Sequence, residues 1–141
     1  MQATHATSDM PWAEERVGAE RIRGAYAWRK FLDAGCRIAN GSDFPVEHAN
    51  PLWGFYASVT RQDHAGKPAG GWWPEERMTR AEALRSITID AAYAAFQEEV
   101  MGSLEVGKLA DFVVLSHDIM TIAPHAILET QVLRTVVNGQ T

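Results

Sequence analysis

Apolar residues in the first third of the chain recur at helical spacing and then give way to a short continuous run. Between residues 19 and 34 they recur every three or four positions, with charged residues between them, which predicts an amphipathic helix. Gly35 follows as a helix C-cap, and residues 36–39 form an apolar run typical of a buried strand. A helix, a glycine and a strand in this order are half of a βαβ unit, which indicates an α/β fold.

Weaker patterns flank this unit. Residues 1–5 are interpreted as a short strand, and residues 11–16 as a single helical turn with proline at its first position. Asn50 and Pro51 are an N-cap and a first-turn proline, and they predict a helix that ends near residue 62. The polar, Gly/Pro-rich stretch 63–77 is a long loop, and loops of this length are often functional.

The second half begins with helical signals. Thr79 and Glu82 have the spacing of a capping box, which predicts a helix from there to about residue 89. Asp90 is interpreted as the cap of a further, alanine-rich helical segment that reaches residue 96.

The last forty residues favour strands. Residues 102–115 have a turn-strand pattern, Pro124 opens a short helix to about residue 130, and residues 132–137 predict a second strand. Asn138-Gly139 follows directly, and this dipeptide is the strongest short hairpin signal.

Composition narrows the class of protein. The 141 residues are 46% hydrophobic, enough for one packed domain. The net charge of −5, without a Lys/Arg-rich run, argues against nucleic acid or an anionic membrane as partner. No apolar run approaches the roughly 20 residues of a membrane span, and the first ten residues do not form a secretory signal. Cys36 has no disulfide partner, so we expect a cytoplasmic location and a buried strand position for this residue.

Asp43 is the clearest candidate for a residue that binds a ligand or takes part in catalysis. It comes just after the predicted strand, in the sequence Gly-Ser-Asp-Phe-Pro, and α/β folds place ligands at the C-terminal ends of strands. Such a carboxylate can bind a metal, act as a general base or cap the following turn, and its own residues leave these three roles open. Glu47 and His48 are either groups that support Asp43 or solvated loop residues.

The five histidines do not form a metal site by their spacing. No H-x-H or H-x3-H pair is present, so no two histidines share a strand or helix face as a zinc pair does. His64, His117 and His125 are interpreted as surface or packing residues. No phosphate-binding glycine loop or nucleophile elbow occurs, and neither Cys36 nor Ser42 has an evident base partner.

Four segments in this order resemble the C-terminal part of the metal-dependent amidohydrolase superfamily. The resemblance is closest to the amidohydrolase family 3 branch, which includes N-substituted formamide deformylase-like enzymes. It covers essentially the whole chain, and the combination of segments is more specific than any one of them. The segments are residues 2–10, 41–47, 88–94 and 102–115.

The resemblance implies the last two βα units of a (β/α)8 barrel, followed by the C-terminal strands of a small β-sandwich. Residues 1–100 would belong to the barrel and residues 101–141 to the sandwich, and an isolated chain could rearrange these parts. Residues 1–5 would match the seventh barrel strand and residues 36–41 the eighth.

The resemblance also implies roles for three side chains. Asp43 would match the aspartate that binds metal and takes the proton of the attacking water. His5 and Asp9 would lie in the loop after the seventh strand, as substrate contacts.

The implied activity is hydrolysis of a non-peptide carbon–nitrogen bond in a small amide-type substrate, by water activated on zinc or another divalent metal. Apart from Asp43, the family's metal ligands have no counterpart in this sequence: its H-x-H pair on strand one, its bridging residue on strand four and its histidines on strands five and six are all absent. A catalytic zinc takes three protein ligands plus water, so we expect this chain alone to bind no metal tightly and to be inactive. The alternative is a non-catalytic module that forms homo-oligomers through apolar faces that a barrel would cover.

Overall fold

Helix α4 (Pro51–Thr60) is the centre of the fold in the computed structural model, which describes residues 1–141. The Asn50 side chain accepts a hydrogen bond from the Leu52 amide, and Pro51 occupies the first turn, so the predicted cap is confirmed. Nearly all of the helix is buried, including Phe55 and Tyr56. The core of the protein therefore forms around this one apolar helix.

Short helices and one small sheet make up the rest of the fold. Helices α1 and α5 and the 3-10 turn Pro124–Ile127 pack against α4. No helix has the length and apolar character needed to cross a membrane. The other α-helices are α1 (Ala3–Asp9), α2 (Ala13–Val17), α3 (Trp28–Asp33), α5 (Arg80–Ser86) and α6 (Ile89–Ala94), and the remaining 3-10 turns are Arg21–Gly24 and Pro74–Glu76.

The N-terminal strand prediction is wrong for most of its length. Residues 3–9 form α1, because Ala3 and Ala6 are small enough to bring this helix into close, fully buried contact with α4. Only Met1 keeps a strand-like position. Its amine donates to the Ala39 carbonyl, and its own carbonyl accepts from the Gly41 amide at 2.9 Å, which is the hydrogen-bond pattern of two parallel strands.

The strand predicted for residues 36–41 is also absent as a regular element. An apolar strand of this kind is stable when other strands flank it, and beyond the contact with Met1 this segment has no strand beside it. Cys36 is consequently exposed, and the prediction that it is buried is wrong. Ile38 and Asn40, further along, do face the core.

The single helix predicted for residues 19–34 is interrupted. The 3-10 turn Arg21–Gly24 precedes α3, and Tyr26 between them has a left-handed φ of 51°. The Tyr26 hydroxyl donates to Asp9 at 2.5 Å, which holds this residue out of the helical path. Gly35 ends α3 with a φ of 81°, as a glycine cap does.

The second half follows the sequence signals more closely. Thr79 and Glu82 form a complete capping box at the start of α5. Thr88, rather than Asp90, precedes α6, because Asp90 lies inside the first turn and forms an ion pair with Arg85 at 3.0 Å.

The two predicted strands form an antiparallel sheet. Strand β1 (Phe112–Leu115) pairs with β2 (Val132–Val136), and Val113 lies opposite Thr135. Asn138 and Gly139 both have positive φ and turn the chain so that Val137 pairs with Gln140, which confirms the hairpin signal.

Arg61 ties the loop after α4 to the core. Its Nε donates to the Trp72 carbonyl at 2.5 Å, and its Nη1 donates to the Tyr26 carbonyl at 2.9 Å. The guanidinium also lies 4.4 Å from the centre of the Trp28 ring, a cation–π contact. Burial lowers the Arg61 pKa to about 10, so the side chain remains charged at neutral pH.

Two glycines occupy places where the backbone comes too close to another element for any side chain. At Gly71, with a φ of 93°, a Cβ would lie 2.3 Å from the Thr60 carbonyl oxygen. At Gly102, with a φ of 88°, a Cβ would lie 2.7 Å from the Ala92 Cβ. These glycines fix the return of the loop after α4 and the path of the chain after α6.

Candidate functional site

Asp43 lies just beyond the extended segment 36–41, at the position that the sequence predicted for a ligand-binding carboxylate. Its backbone has a left-handed φ of 56°, a conformation that aspartate tolerates better than most residues. The side chain is 54% exposed, and its carboxylate accepts no hydrogen bond from within the chain. Both oxygens are therefore free to bind another group.

His5 faces Asp43 from helix α1. The imidazole Nε2 lies 3.9 Å from Asp43 Oδ2, too far for a hydrogen bond. The same nitrogen is buried and has no hydrogen-bond partner in the chain. The structure thus brings together two residues that lie far apart in the sequence and leaves a nitrogen and a carboxylate oxygen unpaired between them.

Asp9, the other predicted substrate contact, is already engaged. Its carboxylate accepts a hydrogen bond from the Tyr26 hydroxyl at 2.5 Å. It forms no hydrogen bond or ion pair with His5 or Asp43. Burial, and then the bond to this carboxylate, raise the Tyr26 pKa to about 12. In this structure Asp9 therefore positions Tyr26.

Asn40 is a site residue that the sequence analysis missed. Its side-chain carbonyl accepts from the Ala3 amide at 3.0 Å, and its Nδ2 donates to Ser58 Oγ at 3.2 Å. Its backbone amide donates to the Ser86 carbonyl at 2.8 Å. This buried residue, three positions before Asp43, therefore joins α1, α4 and α5. The available signal in the sequence was a polar residue at the end of an apolar run.

His48 and His64 pack against Trp53 on helix α4. The ring centres lie 4.1 Å apart for His48 and Trp53, and 4.4 Å apart for Trp53 and His64. His48 Nδ1 also accepts from the Asn50 amide at 3.1 Å. The interpretation of His64 as a surface or packing residue is confirmed. His48 holds the backbone just before α4 through its bond from the Asn50 amide.

The side chains present do not make a complete metal site. No three His, Cys, Asp or Glu residues of the chain come together in a group that could hold a metal ion. His5 and Asp43 offer nitrogen and carboxylate oxygen, both of which zinc accepts, but a catalytic zinc takes three protein ligands. The chain supplies part of a ligand set at most.

The fold identifies the class of protein. The chain is similar to the crystal structure of an uncharacterized metal-dependent hydrolase from Pyrococcus horikoshii OT3, with a TM-score of 0.74 and 26% sequence identity. The alignment covers 88% of this chain and 25% of that protein.

Sequence comparison identifies the family. Residues 1–141 match the Amidohydrolase family (Amidohydro_3), so the chain belongs to the amidohydrolases, in their family 3 branch. It is 32% identical over 140 residues to YtcJ of Bacillus subtilis (strain 168), which is named as an amidohydrolase, covering 99% of this chain and 26% of that protein. It is 40% identical over 111 residues to N-substituted formamide deformylase of Arthrobacter pascens, covering 79% of this chain and 20% of that enzyme. The chain therefore spans about a quarter or less of the length of these relatives.

Proposed function

We propose that the chain forms the C-terminal part of a metal-dependent amidohydrolase that hydrolyses a non-peptide carbon–nitrogen bond in a small amide-type substrate. The observation that carries the proposal is the meeting of Asp43 and His5, whose facing atoms lie 3.9 Å apart without other partners. The family match over residues 1–141 supports it. The name of the formamide deformylase relative favours an N-substituted amide as the substrate class.

We infer that residues 1–100 belong to a (β/α)8 barrel and residues 101–141 to a small β-sandwich. The parallel hydrogen-bond pattern of Met1 beside Asn40 supports the first assignment, because barrel strands are parallel. The antiparallel pair β1–β2 supports the second.

In this proposal the residues divide the work. Asp43, with both oxygens free, would be the residue of this chain that holds the metal and accepts a proton from water. His5 and Asp9 contact the substrate, and Asp9 does so on release of Tyr26. Zinc or another divalent metal would lower the pKa of the water when bound. The missing ligands would come from outside this chain, which we propose binds no metal tightly and is inactive by itself.

Two experiments test the enzymatic proposal. The purified chain, equilibrated with zinc and freed of excess metal, should carry no stoichiometric zinc and should not hydrolyse an N-substituted formamide. A folded chimera that joins the preceding part of the Arthrobacter pascens enzyme to residues 1–141 should hydrolyse that substrate. Asp43→Asn should then lower kcat by about 100-fold or more, because it removes the proton acceptor, whereas Asp33→Asn, an exposed control on α3, should not.

Each of the two experiments has an outcome that would contradict the proposal. Stoichiometric zinc together with turnover by the isolated chain would show that residues 1–141 form a complete site. A folded chimera that is inactive would contradict the proposed activity. A chimera that keeps its activity in the Asp43→Asn variant would exclude Asp43 from the reaction.

A second candidate function is that of a non-catalytic, self-associating module. The observation that favours it is the exposure of large apolar side chains, with Phe96 92% exposed and Leu133 63% exposed. Exposed apolar surface and an unpaired sheet edge promote association. We expect a homodimer or larger oligomer by light scattering at micromolar concentration, and a monodisperse monomer would contradict this candidate.

A further inference from the structure

Helix α1 receives its N-terminal cap from a distant segment of the chain. The first amides of a helix have no partner within it, and a side chain nearby in sequence often accepts from one of them. Gln2, at the N-cap position of α1, forms no such bond. The Ala3 amide donates instead to the side-chain carbonyl of Asn40, 37 residues away, at 3.0 Å. Asn40 therefore caps α1 across the fold.

The same contact marks the point at which the chain changes from extended to helical. Met1 pairs with residues 39–41 as parallel strands do. If this pairing continued, the Ala3 amide would donate to the Gly41 carbonyl, the next acceptor along the segment. The Asn40 side chain accepts from that amide instead, and α1 starts at Ala3. The bond to Asn40 thus sets the residue at which the helix begins.

Burial and a second hydrogen bond fix the orientation of the Asn40 side chain. Asn40 is 8% exposed, and its Nδ2 donates to Ser58 Oγ at 3.2 Å. The Ser58 hydroxyl itself donates to the Gly54 carbonyl at 2.8 Å, so its oxygen accepts from Asn40. The Ala3 amide can only donate. A carboxamide meets both demands, because it carries an acceptor and a donor on the same carbon.

This fixed side chain lies close in sequence to both residues of the candidate site. His5 is two residues beyond the amide that Asn40 caps, and Asp43 is three residues beyond Asn40. His5 Nε2 and Asp43 Oδ2 lie 3.9 Å apart without a hydrogen bond, so the pair does not fix its own separation. Of the hydrogen bonds that join these two segments, the bond from Ala3 to Asn40 lies the fewest residues from the pair.

We propose that Asn40 is a positioning residue of the site, which holds the His5 imidazole opposite the Asp43 carboxylate by capping α1. The inference rests on the proposed function, in which His5 contacts the substrate and Asp43 accepts a proton. Without the cap, the start of α1 would fray, and His5 lies in its first turn. Catalysis depends steeply on such geometry, because a misplacement of about 1 Å can cost about 100-fold in rate.

The first test is NMR spectroscopy of the isolated, isotope-labelled chain at constant pH. The Ala3 amide should be protected from hydrogen exchange, and Asp43→Asn should shift the ring signals of His5, because the carboxylate lies close to the ring. Asn40→Leu, of similar size but without hydrogen bonds, should speed exchange at Ala3 about tenfold and remove most of the ring shift. Ser86→Ala removes a buried hydroxyl that bonds only within α5, and this matched control should change neither.

The second test is a double-mutant cycle in the chimera with the Arthrobacter pascens enzyme. Asn40→Leu should lower kcat/KM for the N-substituted formamide about tenfold, and His5→Ala should lower it as well. Adding Asn40→Leu to His5→Ala should cost less than about twofold, because Asn40 acts through His5. A residue that only stabilised the fold would cause the same loss in both backgrounds.

Circular dichroism establishes that each variant remains folded. If Asn40→Leu does not fold, Ser58→Ala replaces it, since it removes the acceptor of Asn40 Nδ2 and should reduce the ring shift in the same direction. Rapid exchange at Ala3 in the unmodified chain, a full ring shift in the folded variant, or equal losses in both backgrounds would overturn the proposal. An inactive unmodified chimera would contradict the proposed function alone, and the NMR results would still decide whether Asn40 positions His5.

Discussion

At the scale of single residues, Glu82 shows how one carboxylate can serve a helix cap and a tertiary contact together. It accepts the Thr79 amide at 2.7 Å within the capping box, and Arg29 on α3 donates to it at 2.9 Å. The bond from Arg29 is the main reason that the Glu82 pKa is lowered from its ordinary value of 4.5 to about 2. The ionised carboxylate is thus more stable in the folded state than in the unfolded state.

This lowered pKa predicts an acid-dependent loss of stability. The stabilisation is complete above pH 4.5 and disappears as the pH falls through about 2, since protonation removes the charge. Glu82→Gln should keep the cap but lower the free energy of unfolding by about 1–2 kcal/mol at pH 7, after allowance for solvent screening. Urea denaturation should show the difference vanishing near pH 2.

The exposed Glu99→Gln variant is the control for a change of net charge, and its stability should match that of the unmodified chain at both pH values. Equal stability of Glu82→Gln and the unmodified chain at pH 7 would show that the pair with Arg29 contributes nothing.

The residues of the candidate site differ in how far sequence could reveal them. Asp43 was found because a motif places it after an apolar run, and His5 because the same family pattern includes it. Asn40 was missed, because its importance comes from burial and from hydrogen bonds between distant segments. The sequence alone does not show which distant residues a side chain contacts.

At the scale of elements, the predictions that succeeded rest on local chemistry. The caps of α4 and α5 and the hairpin at Asn138-Gly139 each depend on a few adjacent residues, and the structure confirms them. Residues 1–5 and 36–41 failed as strands, because an apolar run becomes a strand when neighbours supply hydrogen bonds. The helix predicted for residues 19–34 failed because Tyr26 bonds to a distant carboxylate.

The cap of α5 gives an element-scale prediction. The Thr79 hydroxyl accepts the Glu82 amide, and no other group of the chain takes its place. Thr79→Ala should therefore destabilise the protein by about 1 kcal/mol. Thermal or urea denaturation would measure this, with Thr79→Ser, which keeps the hydroxyl, as the matched control. A Thr79→Ala variant as stable as Thr79→Ser would show that the cap is dispensable.

At the scale of the whole molecule, one face of the β1–β2 sheet is both apolar and open to solvent. Side chains alternate along a strand, so Val113, Thr135 and Val137 lie on the same face, with Val113 51% and Val137 61% exposed. Val136, on the opposite face, is buried. The chain therefore presents an apolar surface at the end where no other element covers it.

If this face drives self-association, a charge placed in it should prevent the association. Val113→Lys should shift the protein from dimer to monomer in sedimentation velocity at micromolar concentration, because the ammonium group would have to be desolvated at the interface. Arg134→Lys, on the other face of the sheet, should leave the dimer intact. A Val113→Lys variant that stays dimeric would place the contact elsewhere.

The glycine at position 71 also determines where this protein can accept new sequence. The exposed stretch that includes Ala69 lies ahead of the place where the backbone must pass within contact distance of Thr60. A peptide tag or a fluorophore inserted at Ala69 would open the turn that the Gly71 amide closes on the Pro68 carbonyl at 2.9 Å, but it would leave Gly71 itself free to remain against Thr60. The same insertion after Gly71 would pull the Trp72 carbonyl away from Arg61 and detach the loop from the core. The chain thus contains an attachment site for probes and, two residues later, a point at which no extra residue can be tolerated.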